Sequence, residues 1–319
     1  MKFQEINTFY TYLLSQSSAQ YFLYSCYQQL GMKDAEIKSY ENCSAFVHYL
    51  NHGRKFYENG RKSELLIQPI LYFYGMVHLL KACLLTIRPN YPESTSLLAH
   101  GVSTRKRKRK NYSFIEDEVK IQHNGLFPYV NQHIYEQEKV PFEKIKMDYL
   151  FGLIPEMQIL LSFHQREKMI SVGKQHQSIL RLPTQLLDHY HLTEKALIQR
   201  LKPYLSPIKK TTTEKEAVIV ELTKSIESES NPFFFHMSNE MIYFPINRSY
   251  FIPISEVMVH YLLLYNLSML CRYEAEWWGE LITTKPEIDY AFISHFLAIT
   301  AEKIPLLLGH KLYQNLQRN

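Results

Sequence analysis

"LLIQPILYFYGMVHLLKACLLTI", residues 65–87, is the stretch whose reading decides the fold. It is long enough to span a bilayer, yet Gln68, His78 and Lys81 stand in its interior, where hydrocarbon makes polar groups costly. The spacing predicts instead a buried helix over 63–87, with Pro69 tolerated in its early turns and Pro89 past its end. The second long apolar run, "IPISEVMVHYLLLYNLSMLC" at 252–271, carries Glu256, His260 and Asn266 and reads the same way. Two such rods make the centre of a helical body, and no membrane partner is expected.

The remaining composition agrees. At 319 residues with 46% hydrophobic and 21% charged, the chain can fill a substantial core. Only 10 glycines leave few tight turns, which favours helices over a many-stranded barrel. Cys26, Cys43, Cys83 and Cys271 are widely separated with no C-x-x-C pair. They read as thiols of a reducing compartment. The opening "MKFQEINTFYTYLL" lacks the pattern of a secretory leader. A cytoplasmic location is the expectation.

Outward from the central rod, residues 3–31 show helical periodicity ending at Gly31, and 41–59 a weaker helix ending near Asn59-Gly60. Asn124-Gly125 between two short runs predicts a hairpin within 112–130. Residues 142–170 read as helical or irregular. "QSILRLP" at 177–183 reads as a strand, followed by a broken helix. "KEAVIVELT", "PFFFHM" and "MIYFPI" give three β-like runs within 214–252. Helices follow over 254–274 and 288–301. The expected fold class is α+β, mostly helical. A helical body carries a smaller β-containing middle region, in a single domain over 1–319 with β segments near 112–135 and 214–252.

"HGVSTRKRKRKNYSF" at 100–114 holds six consecutive cations. Six positives against a total of +5 leave the rest of the chain at −1, so the protein is neutral with one cationic spot. That argues against a broad nucleic-acid groove and permits a local anion site. Extended, the run puts Arg105, Arg107 and Arg109 on one side and Lys106, Lys108 and Lys110 on the other. The three guanidiniums would suit phosphate or carboxylate oxygens. A solvated loop partly neutralised by Glu116, Asp117 and Glu118 is the plain alternative.

The two long helices each carry a polar stripe. Tyr74, His78, Lys81 and Arg88 share one face of the first; Tyr261, Tyr265, Ser268 and Arg272 share one face of the second. Facing one another, they could frame a polar pocket with Tyr74, His78, Lys81, Tyr265 and Arg272 as its candidates. The plain reading is a core tyrosine stripe with Lys81 reaching to solvent and Arg272 paired to Glu274 or Glu276. Asp188, His189 and His191 have metal-binding atoms at unsuitable helical spacing, and no second motif supports them. No metal or cofactor is expected. P-loop, dinucleotide-binding and hydrolase-elbow motifs are missing from the sequence.

"AQYFLYSCYQQLG", "LLAHGVSTRKRKRKNYSFIEDEVKIQHNGLF" and "HYLLLYNLSMLCRYEAEWW", spread over 19–278, resemble the YaaC-like family of uncharacterised bacterial proteins. The resemblance implies a cytoplasmic bacterial protein and brings no established activity. More distantly, "ILYFYGMVHLLKACLLTIRPN…AHG" is similar to the helix and loop of HEPN domains. Ribonuclease members carry an Arg followed, after four to six residues, by a His. No arginine here has a His at that spacing; Arg181 and His189 come nearest, one residue too far apart. The expectation is therefore non-enzymatic binding of RNA or a nucleotide through residues 105–110 with His100. A divergent HEPN-like ribonuclease using His100, and a scaffold for an acidic protein partner, are the alternatives.

Overall fold

The computed structural model describes residues 3–105, 112–226, 232–285 and 287–317. In chain order the elements are α1 (Phe3–Leu13), α2 (Gln16–Gln29), α3 (Ala35–Lys62), α4 (Gln68–Ile87), β1 (Val102–Ser103), β2 (Glu118–Ile121), α5 (Leu126–His133) and β3 (Lys144–Lys146). Then come α6 (Met147–Phe151), α7 (Gln158–Ser162), β4 (Met169–Lys174), β5 (Ile179–Pro183), α8 (Gln185–Tyr190), α9 (Glu194–Leu201), β6 (Ile208–Thr213), β7 (Ala217–Leu222), β8 (Phe234–Phe235) and β9 (Met241–Pro245). Last are α10 (Glu256–Tyr273), α11 (Ala275–Thr284) and α12 (Ile288–Gln317). The fold is mostly helical α+β. It divides into one unit of residues 1–145 with 260–319 and a second of 146–259.

In the first unit α3 and α4 run antiparallel, with Gly60 of α3 against Tyr72 and Gly53 against Leu79 of α4, and most of α4 is buried. Pro69 occupies the first turn of α4, where a missing N–H costs nothing. α4 and residues 288–316 of α12 have the length and hydropathy of membrane-crossing helices, but 67% and 61% of their most apolar windows are buried inside the protein. That marks them as core helices of this fold. α2 ends as its sequence predicts: Gly31 N–H donates to Gln28 O and Met32 N–H to Tyr27 O, with Gly31 at φ 73°.

Two helix ends fall elsewhere than the sequence suggests. Asn59-Gly60 does not stop α3, because Gly60 serves packing: a Cβ there would collide with the Tyr72 ring on α4. Gly60→Val is expected to lower stability by about 1–3 kcal/mol through overpacking, read as a fall in melting temperature. Likewise α12 continues past residue 301 and through Pro305. The proline has no N–H for the carbonyl of Ala301, and Arg61 of α3 supplies the donor instead, Nη2 to Ala301 O at 2.9 Å. Its Nε bonds Glu302 at 2.6 Å and holds the guanidinium there.

β1, β2 and β3 form a small antiparallel sheet, with Val102 opposite Ile121. Asn124-Gly125 is not a hairpin turn. β2 ends at Ile121, and Gly125 is the N-cap residue just before α5. The second unit is built on a six-stranded antiparallel sheet, order β6-β7-β5-β4-β9-β8. Alternation puts Leu180, Leu182, Val218, Val220, Ile242 and Phe244 into one core with Leu186 and Tyr190 of α8 and Leu197 and Leu201 of α9. The helix break between α8 and α9 falls at His191, in left-handed conformation at φ 51°. β3 lies inside the stretch 142–170, which reads in sequence as helical or irregular, and β4 begins at its end.

Candidate functional site

The two polar stripes do come together, and His100 joins them. α5 begins on the backbone before β1: Leu126 N–H donates to Ala99 O at 2.7 Å and Phe127 N–H to His100 O at 3.1 Å. These are donors that a helix start leaves without an internal partner. The approach needs Gly101 at φ 75° against Gly125 at φ 123°; a Cβ on Gly125 would lie 2.5 Å from Gly101 Cα. The Tyr261 hydroxyl of α10 donates a further bond to His100 O at 2.9 Å. So His100 is pinned through its backbone, and its ring is free to face the helices.

That ring sits 4.9 Å from Phe73, 6.0 Å from Tyr74 and 5.8 Å from Tyr265, centre to centre. Arg272, in the last turn of α10, donates from Nε to Ser268 O at 3.0 Å, from Nη1 to the Tyr74 hydroxyl at 3.2 Å and from Nη2 to the Met269 sulfur at 3.1 Å. The first bond folds the guanidinium back against its own helix, at a carbonyl one turn earlier; the last is to a weak acceptor. No pairing of Arg272 with Glu274 or Glu276 forms. Lys81 lies 5.7 Å over the Tyr49 ring of α3. Among the described residues neither Lys81 nor Arg272 has a carboxylate within ion-pair distance.

His78 packs under this group, 5.3 Å from His52, 5.7 Å from Phe56 and 5.9 Å from Tyr49. Its Nδ1 is buried without a hydrogen-bond partner among the described residues. Burial, then the charge of Lys81 and the His52 ring, pushes its pKa down to about 4. Burial also lowers His100, helped by Arg272 and Lys81, and lowers Lys81 itself. At neutral pH the His78 and His100 rings are therefore uncharged, and the cations of the site are Lys81 and Arg272.

Other sequence candidates separate from this cluster. Arg88 leaves the stripe: its guanidinium bonds Glu93 at 2.6 Å and the Tyr129 hydroxyl at 2.9 Å, a closed surface network. Ser268 bonds back to Tyr265 O. Arg105 remains half-exposed, its Nη2 4.0 Å from Glu118, whose carboxylate already holds Lys144 at 2.8 Å. Lys106, Arg107, Lys108, Arg109 and Lys110 lie outside the described residues, so the expected extended run is not placed. Further along, Tyr112 donates to Asp117 Oδ2 at 2.7 Å. Asp117, read as a surface neutraliser of the run, is buried and also accepts from Asn266.

Tyr49, His52 and Phe56 of α3 were not singled out in the sequence, although "HYLNHGRKF" places them at helical spacing. Tyr273, 65% exposed at the rim, was also missed. Among the described residues no group of three metal-ligating side chains forms, and His189 and His191 are exposed.

The family model described as YaaC-like Protein matches residues 11–312. Neither the comparison with curated proteins nor that with solved structures gave a match.

Proposed function

For this chain, which belongs to the YaaC-like family, we propose non-enzymatic binding of RNA or a nucleotide. Lys81, His100 and Arg272 receive a phosphate, and the basic run 105–110 supplies longer-range attraction. One observation carries this reading: two half-buried cations share an aromatic cluster with a neutral histidine, and neither has a counter-ion among the described residues. Half-buried charges are costly unless paired, and an incoming anion offsets both together. Arg272 suits this best, because a phosphate oxygen is a stronger acceptor than the Met269 thioether on its Nη2. The basic run starts five residues after His100 in the chain, and the cytoplasm is where such ligands are abundant.

Protein purified at low salt is expected to carry excess absorbance at 260 nm over 280 nm. Changing Arg105, Arg107 and Arg109 to Ala should remove that excess. A labelled uridine 12-mer should bind with a log K against log salt slope of about −1.4 or steeper, since single strands give about −0.7 per neutralised phosphate. A clean ratio with no detectable binding of the 12-mer near 50 mM salt overturns the reading. An acidic protein partner would show similar salt dependence, so displacement of bound RNA by such a partner, with no affinity for RNA otherwise, would favour the scaffold.

The position of His100 supports a second reading, the divergent HEPN-like ribonuclease. A neutral imidazole beside Arg272 has the groups that general acid–base cleavage of a phosphodiester needs. RNA cleavage undiminished in a folded His100→Ala variant removes this version.

A further inference from the structure

From the rim of the same cluster we infer that Tyr273 is a stacking platform for an unpaired nucleobase, so the site takes a ligand whose base face is free. This rests on the phosphate-binding reading above and adds the ligand's other half. Tyr273 ends α10 and is 65% exposed. A single exposed tyrosine on a surface means little by itself. This one lies with its ring centre 5.3 Å from the Arg272 guanidinium carbon, which is itself 5.9 Å from the Tyr74 ring centre. The guanidinium is fixed by Ser268 O and the Tyr74 hydroxyl. An exposed aromatic face and an oriented cation thus stand together, as a nucleotide's base and phosphate do. Every base offers a π-face to such a ring, whereas in a duplex both faces are covered by neighbouring pairs. A bare phosphate would use Arg272 and Lys81 and gain nothing from Tyr273.

The test compares a labelled uridine hexamer with an abasic hexamer of the same backbone, on the full chain and on Tyr273→Ala, Tyr273→Phe and Arg272→Gln. Tyr273→Ala is expected to weaken the uridine hexamer about tenfold or more, the scale of one lost base–aromatic stack. The abasic hexamer should be unaffected, and Tyr273→Phe, which keeps the ring, should restore the loss. Equal weakening of both hexamers by Tyr273→Ala, or of neither, overturns the stacking role. Binding of both hexamers that is insensitive to Arg272→Gln instead overturns the phosphate reading. Adenosine monophosphate titrated alongside identifies the source. Tyr273-dependent binding of the mononucleotide supports a free nucleotide; Tyr273-dependent binding confined to the hexamer supports a single strand.

Discussion

Asp289→Ala is expected to cost about 3–5 kcal/mol of stability, seen as a fall in melting temperature on the order of 10 °C. Asp289 is fully buried in the first turn of α12. Its Oδ2 accepts from Phe114 N–H at 2.6 Å; its Oδ1 accepts from Ile115 N–H at 3.2 Å and the Ser113 hydroxyl at 3.3 Å. Removing the carboxylate strands two backbone donors, each worth about 1–3 kcal/mol when left unsatisfied out of water. The α12 N-terminus also loses a favourable negative charge. Asp289→Asn should fall between, because one amide oxygen still accepts while the NH2 faces other donors. Burial raises the Asp289 pKa, opposed by those same hydrogen bonds. A raised carboxyl pKa in the folded state contributes stability below the unfolded value and loses it as pH rises through the folded one. The gap between wild type and Asp289→Ala should therefore persist into mild acid. An unchanged melting temperature would mean that the two amides find other partners. The anchor bears on function because residues 113–115, which bond Asp289, stand a few positions after the basic run in the chain.

What the sequence revealed follows the range over which each signal acts. The end of α2 at Gly31, the alternation of β7 and β9, and the stripes Tyr74–His78–Lys81 and Tyr265–Arg272 are local, and local periodicity finds them. α12 is misjudged because the donor that rescues the Ala301 carbonyl comes from Arg61, distant in sequence. Asn59-Gly60 and Asn124-Gly125 are misjudged for the opposite reason. A glycine that admits a tyrosine ring or a neighbouring backbone looks the same in sequence as one that makes a turn. β6, exposed along most of its length, has no alternation to read. In the site, sequence proximity ties His100 to the cations that follow it, whereas its ring packs with the two helix stripes. Arg88 has the spacing of the stripe, but Glu93 and Tyr129 close it off.

Arg272→Ala should reduce affinity for the uridine 12-mer about 30- to 150-fold, equivalent to about 2–3 kcal/mol for a lost charge-assisted contact. Lys81→Ala should cost less, roughly tenfold, because a flexible ammonium over Tyr49 must be ordered on binding while the Arg272 fork is already held. For the same reason Arg272→Lys should recover little: an ammonium restores the charge but cannot keep bonds to Ser268 O and the Tyr74 hydroxyl while presenting a donor to phosphate. Fold stability should change little in Lys81→Ala, whose side chain makes no ion pair among the described residues, and fall by about 1–2 kcal/mol in Arg272→Ala, which loses bonds to Ser268 O and the Tyr74 hydroxyl. Combining the two gives the decisive number. If one phosphate bridges Lys81 and Arg272, the double variant should lose less than the sum of the single losses, because either change already releases part of the shared contact. Additive losses would put the two cations on separate phosphates. No loss in either single variant would leave the cluster as packing only, and the anion site would have to lie elsewhere.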